Sequence, residues 1–596
     1  MMRIPIAETN GCESPGQQAA GLSKATTAVL FIWFTIISFV ITGYRHIYGG
    51  NHPFQLVLVQ KLNDPTLYSN DPFADTIYSY ASTFWYLVAW LSRVVDLSLV
   101  LFAFFLVAKF MFLLAGFRLG RTFFPDVRYA PVVGLIVMAT FPQLLFAGGY
   151  PSRDTNQTVL CLGALFLAFD AFLNRNWKGT ALWFGLATNL NLMFSIYGLT
   201  YLAASWLLYL RTARSIEFFG KPVVALVVGV LIGAPSIYLV FKAATYKEYN
   251  PIHVWQACEL TNSIHFYPQV WSLSDQLLTL LLAIASVFVV YRFRDASPFG
   301  GHIAVWTLVA IGWYLLAYAN VLLIHSLPLL SLHPARALVL WKLTAMIFLA
   351  SFVVYLVRYN DFKLTNKISL ILHSMMLIFI IFIDKASAHM LSIVPLVLSG
   401  VLCEIGRRVF LRLAISSTEL LLALVAAITV SITAPGILLG ATLAGKHSVF
   451  DFFQSPAIQI AEWARNNTPR ESVFLIPISD ETGWTNFRHI SQRNVLTYHK
   501  DGSAWTYAPW FAEEWLSRLK ALGYYEFAGL NEKSYTIGSW LYKKDFERFY
   551  DTIDDKKVEQ LRKQYRIDYW ITRASVKSRF PRVYEHEGWQ VLKVSD

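Results

Sequence analysis

Up to about residue 443 the chain alternates long apolar runs with short polar connections. A run of roughly 17–25 apolar residues is long enough to cross a bilayer as a helix. About thirteen runs meet that length on this reading, near 25–43, 98–117, 130–148, 157–174, 179–195, 197–211, 222–241, 274–292, 302–325, 336–357, 367–384, 387–404 and 418–442. One connection breaks the rhythm. Tyr44 to Asp96 is polar, longer than the others, and carries Asp64, Asp71 and Asp75 close together. Its flanks, Phe54–Leu62 and Phe84–Val95, mix apolar, aromatic and a few charged residues. That composition predicts short helices lying in the headgroup layer.

After residue 443 the pattern changes. Ser455-Pro456 opens a helical period through Ile458, Ile460, Ala461 and Trp463, and Asn466 to Arg470 closes it. Ser472–Ile478 (SVFLIPI) reads as a strand, Lys556–Tyr565 as a helix, and Asp568–Thr572 and Gln590–Val594 as strands. Strands alternating with helices predict a small α/β unit. The expected fold is therefore an all-α polytopic membrane domain followed by a small extracytoplasmic α/β domain. The parts are a cytoplasmic tail 1–23, a membrane domain 24–443 with outer loops 44–96 and 241–273, and the domain 444–596.

Charge supplies the sidedness. Arg118, Arg121 and Arg128; Arg175 and Lys178; Arg211, Arg214 and Lys221; Arg292 and Arg294; Arg358, Lys363 and Lys367; and Arg407, Arg408 and Arg412 all fall in alternate connections, on the side of Lys24. The positive-inside rule makes that side cytoplasmic. The opposite side owns 44–96, 149–155, 241–273, 324–336 and the C-terminal domain. The N-terminus has no cleavage-like site after the first run, so an uncleaved anchor is expected. An inner-membrane, multi-pass location follows.

Composition agrees with lipid contact. The chain is 56% hydrophobic and 15% charged, against about 25% charged in soluble proteins, and its mean hydropathy is +0.46. The net charge of +12 sits in clusters beside apolar runs, which argues for lipid headgroups and against nucleic acid. Four cysteines are scattered without metal or disulfide spacing. No Walker loop, dinucleotide fingerprint, nucleophile elbow or CxxC pair is present, which disfavours ATP-driven pumping and soluble-nucleotide chemistry.

The candidate chemistry lies on the outer side. Asp64, Asp71 and Asp75 sit in a loop stiffened by Pro65 and Pro72, at the level where a lipid phosphate ends; as plain residues they are equally solvated turns. Arg153 and Asp154 occupy the outer turn after the third run, where Arg153 suits a phosphate. His333 and Arg336 precede the tenth run, where Arg336 is either a snorkelling anchor or a guanidinium on a leaving phosphate. His253, Trp255, Glu259, His265 and Tyr267, with Lys247, have the mixture of a sugar or phosphate pocket and no zinc signature. Trp484, Trp505, Trp510 and Trp515 suit either sugar stacking or core packing.

The long acidic first outer loop between amphipathic helices, on a many-span chain with an outer C-terminal domain, resembles the GT-C class of membrane glycosyltransferases. The stretches AEWARNNTPRESVFLIPI, FRHISQRNVLTYHKDG and EEWLSRLKALG resemble the segment after the last span in a bacterial GT-C-like branch found with polysaccharide genes. The resemblance implies inverting transfer of a sugar from a polyprenyl-phosphate donor to a glycan or lipid acceptor on the outer face, with a first-loop acid as base: Asp64, Asp71 or Asp75. It implies no cofactor. Metal-dependent members carry an Asp-any-Asp pattern that this loop lacks, although a divalent ion stays open. Two other classes compete: a non-catalytic scaffold that binds other polysaccharide assembly proteins, and a lipid or sugar-lipid transporter. One-sided loops and the absence of an internal repeat count against transport.

Overall fold

In a computed structural model, the described residues are 23–42, 44–45, 52–140, 155–213, 216–244, 247–261, 263–359, 450–451, 455–478, 483–543 and 545–595. Arg153, Asp154 and the expected spans 367–384, 387–404 and 418–442 lie outside them.

The chain is a mostly helical membrane protein. Among the described residues, five helices are long and apolar enough to cross a membrane, or six with one bent pair. Expected and observed helices coincide closely. Leu97–Phe123 begins where Asp96 accepts hydrogen bonds from the amides of Ser98 and Leu99, and Gln157–Leu173 where Asn156 does the same for Thr158 and Val159. Both are N-caps that satisfy orphan amides. Leu338–Tyr359 is the central helix, buried over most of its length.

Small residues set the closest crossings. A Cβ on Gly116 would lie 2.5 Å from the Gly134 carbonyl oxygen, and one on Gly120 2.2 Å from that of Ala130. The helices Leu97–Phe123 and Ala130–Thr140 therefore meet backbone to backbone. The predicted span 222–241 is bent by 59° at Gly233. The Asn189 amide donates to the Ile232 carbonyl at 2.7 Å, satisfying a group freed by the break.

The first outer loop holds two short helices, as expected. His52–Asn63 packs on two sides. Its Leu56 and Val59 join the membrane core, while Val57 on another face joins the C-terminal core. The helix is roofed by the C-terminal segment, which removes its polar exposure. Thr83–Leu91 is one-sided as expected, burying Phe84, Trp85, Val88 and Ala89 and exposing Leu87 and Trp90.

Two strands, β1 (Tyr44–Arg45) and β2 (Phe450–Asp451), pair in parallel and bring the exit of the first helix beside the start of the C-terminal segment. That segment holds a five-stranded mixed sheet of β3 (Val473–Leu475), β4 (Asn494–Val495), β5 (Tyr569–Arg573), β6 (Arg582–His586) and β7 (Trp589–Lys593), in the order β4-β3-β5-β7-β6. The β4-β3-β5 half is parallel and the β5-β7-β6 half antiparallel. Helix Pro456–Asn467 is capped by Ser455 with Pro456 in its first turn, as the sequence predicts.

Candidate active site

The three first-loop carboxylates have three different environments. Asp71 is buried. One of its oxygens accepts from Arg488 Nε at 2.6 Å and from the Val495 amide at 3.0 Å; the other accepts from the Phe73 amide at 3.2 Å. Arg488 also forks onto Asp501, at 2.8 and 2.7 Å, and lies 4.7 Å from the Phe73 ring centroid. Burial opposes the guanidinium's charge, but Asp501 and Asp71 outweigh it and hold it above its ordinary range. Burial pushes the Asp501 carboxyl up against the pull of Arg488. Asp71 thus ties the first loop to the C-terminal segment, and its oxygens are already occupied.

Asp64 pairs with Arg470 near the surface. The Thr66 hydroxyl and then Arg470 hold its carboxyl below the usual range, which makes it a poor proton acceptor.

Asp75 is different. It sits in the short 3-10 turn Ala74–Ser79, its side chain half-exposed. Partial burial raises its carboxyl and Asp71 adds to this, while Lys61 and Lys247 pull it down. Lys61 Nζ is 3.8 Å from Asp75 Oδ1 and donates to the Leu67 carbonyl at 2.8 Å, so a buried cation is fixed beside the carboxylate. A raised, partly accessible carboxylate is a stronger base than the lowered Asp64. The cation favours the ionised form, so its loss should raise the carboxyl further. Lys61→Met is expected to move the acid limb of the pH–rate profile to higher pH; an unmoved limb would show that Lys61 does not tune Asp75.

A second group gathers around 265–336. His333 has φ 47°, donates through Nδ1 to the Ser331 carbonyl (2.9 Å), and packs on Phe266 with 4.0 Å between centroids. Arg336 lies 5.6 Å from the Phe194 ring centroid. The stretch His499–Phe511 touches both groups. Trp505 packs on Phe266 and His333; Tyr507 meets Thr76 and Tyr80; Trp510 donates to Ser79 Oγ at 3.1 Å. Trp505 Nε1 is buried with no hydrogen-bond partner among the described residues, an unmet donor beside the cationic group.

The remaining candidates are structural in their contacts. Glu259 is fully buried and accepts from Tyr267 OH (3.0 Å), Tyr535 OH (2.6 Å) and the amides of Gly538 (2.7 Å) and Trp540 (2.8 Å). Its saturated carboxylate pins the 535–540 loop. Glu259→Gln places an amide NH2 against backbone donors and is expected to cost about 2–3 kcal/mol, read as faster hydrogen exchange at Gly538 and Trp540. Unchanged exchange there would contradict the clip. Trp255 is buried against Tyr267 and His325. His253 faces Glu513 at 3.7 Å. Trp484, Trp505 and Trp515 are buried in the core, and Trp510 is partly buried beneath Lys247. Among the described residues no group of three His, Cys, Asp or Glu has the arrangement of a metal site.

Arg488, Asp501, Lys61 and the Trp505 donor were not legible as site residues. Arg488 is 417 residues from Asp71, and no local spacing links them.

Residues 455–522 match the model of a domain of unknown function, DUF6798; the match includes Arg488, Asp501, Trp505 and Trp510. No curated protein matches the chain. In fold the chain is similar to ArnT from Cupriavidus metallidurans bound to undecaprenyl phosphate, at 12% identity and a TM-score of 0.47, covering 96% of this chain and 98% of ArnT. It is also similar to the Archaeoglobus fulgidus oligosaccharyltransferase in the apo form, at 11% identity and a TM-score of 0.46, covering 92% of this chain and 70% of that one.

Proposed function

We propose that the chain transfers a sugar from a polyprenyl-phosphate donor to an envelope or exopolysaccharide acceptor on the outer face of the cytoplasmic membrane, with inversion and with Asp75 as base. The observation that carries this reading is the sorting of the first-loop acids. Asp64 and Asp71 are each held by an arginine, whereas Asp75 keeps a half-exposed carboxylate with a raised proton affinity. A base needs both access and basicity.

The chemistry follows from the residues. The acceptor hydroxyl oxygen bonds to the anomeric carbon, its proton passes to Asp75, and the carbon–oxygen bond to phosphate breaks with its electrons on the phosphate. Arg336 suits that growing negative charge, and His333 suits a hydrogen-bonding role beside it. A donor tethered by its lipid keeps the reaction at the interface, and binding both partners together removes part of the barrier. The N-terminus is cytoplasmic and the C-terminal domain extracytoplasmic in this reading, and Arg153 is a further phosphate contact.

The test uses the full-length protein in liposomes, supplied with lipid-linked sugars extracted from native membranes. Release of polyprenyl phosphate by mass spectrometry, lost in Asp75→Asn, is the expected result. No release by the wild-type chain, with retained binding of other assembly proteins, would instead support the scaffold reading. That alternative draws on the use of Asp64 and Asp71 for docking rather than chemistry.

A further inference from the structure

Between the first outer loop and the C-terminal segment lies a cleft of about 320 Å³, lined by Asn70 and Asp75 on one side and by Gln564, Tyr565 and Arg566 on the other. We infer that this cleft binds the acceptor, and that the acceptor is a water-borne sugar carrying an anionic group. The inference rests on Asp75 as the base.

Three observations support it. First, the lining is polar and charged, and Asn70, Gln564 and Arg566 are exposed. Such walls suit a hydrated ring and not an acyl chain. The volume is near the lower end of small-molecule pockets, ~300 Å³, enough for a sugar unit.

Second, Arg566 is a cation without a counter-ion. No carboxylate pairs with it among the described residues, whereas the nearby Arg562 and Arg579 both pair with Glu559. A guanidinium in that state matches a carboxylate or phosphate through two parallel hydrogen bonds.

Third, Arg566 ends the helix Asp555–Tyr565 at φ 56°. This is a left-handed position that glycine occupies without steric cost. An arginine here carries backbone strain, and such strain is found where a side chain must be aimed. Tyr565 beside it is held by Arg518, whose guanidinium carbon is 5.4 Å from the ring centroid. An anionic sugar anchored at Arg566 presents its hydroxyls across the cleft to a carboxylate able to take a proton.

The experiment is saturation-transfer NMR on the full-length protein in detergent, with glucuronate, glucose 6-phosphate and glucose as probes. Glucuronate or glucose 6-phosphate is expected to bind, and glucose to bind at least about tenfold more weakly. Which of the two anionic sugars binds better distinguishes a uronate from a phosphosugar acceptor. Arg566→Ala is expected to abolish the preference and Arg566→Lys to retain part of it, with melting temperature checking the fold of each variant. Equal binding of all three sugars, or a preference that survives Arg566→Ala, overturns the inference. If the preference is absent while Asp75→Asn still stops donor turnover, the cleft assignment falls and the base assignment stands.

Discussion

Asp75→Asn is expected to lower sugar transfer by about 10²–10⁴-fold, the usual contribution of a general base, with no loss of folded protein. The amide keeps the shape of the carboxylate but cannot take the acceptor's proton. Because the side chain is half-exposed and its ion pair with Lys61 is 3.8 Å long, little packing depends on its charge. Asp64→Asn removes one surface ion pair with Arg470, worth roughly 0–1 kcal/mol, and transfer should persist. Measured together, the two variants separate a chemical acid from a surface acid. Since the Asp75 carboxyl is raised by partial burial, transfer should fall as pH drops through that raised value, because only the ionised form accepts a proton.

Arg488→Met should have the largest effect on stability. Asp71 and Asp501 are both buried, and Arg488 is the cation between them. Removing one partner of a buried ion pair costs about 3–5 kcal/mol, because the other charge stays buried without compensation. Here two carboxylates are stranded. The expected outcome is early loss of protease resistance in the C-terminal segment together with the first loop, since the network joins them. Arg488→Met combined with Asp71→Asn and Asp501→Asn should recover part of the loss, because no uncompensated charge remains. Full resistance in the single variant would show that the segment is held without this network.

The sequence carried most of the helical layout and little of the site. Gln157–Leu173 and Leu97–Phe123 were legible because an apolar run and an N-cap residue sit side by side in the chain. The β3, β5 and β7 strands were legible from their alternation with helices. The two-sided packing of helix His52–Asn63 was not legible, for a physical reason. Its composition fits a headgroup helix, but the C-terminal segment covers a second face, and the covering residues are hundreds of positions away. The same distance hid the ranking of the acids. Asn63-Asp64-Pro65 and Asn70-Asp71-Pro72 look alike as turns, yet one aspartate meets Arg470 at the surface and the other meets buried Arg488. Asp75 meets neither arginine; it stays half-exposed beside Lys61. The tryptophans illustrate the converse: Trp484, Trp505 and Trp515 are core residues, the commoner role for a large aromatic side chain.

The most direct measurement is an experimental structure of the full-length protein with undecaprenyl phosphate bound. The phosphate is expected on the outer side, near Arg336, with Asp75 as the nearest half-exposed carboxylate and room for one sugar ring between them. A phosphate seated at the cytoplasmic ends of the helices, or one separated from Asp75 by packed protein, would contradict the account.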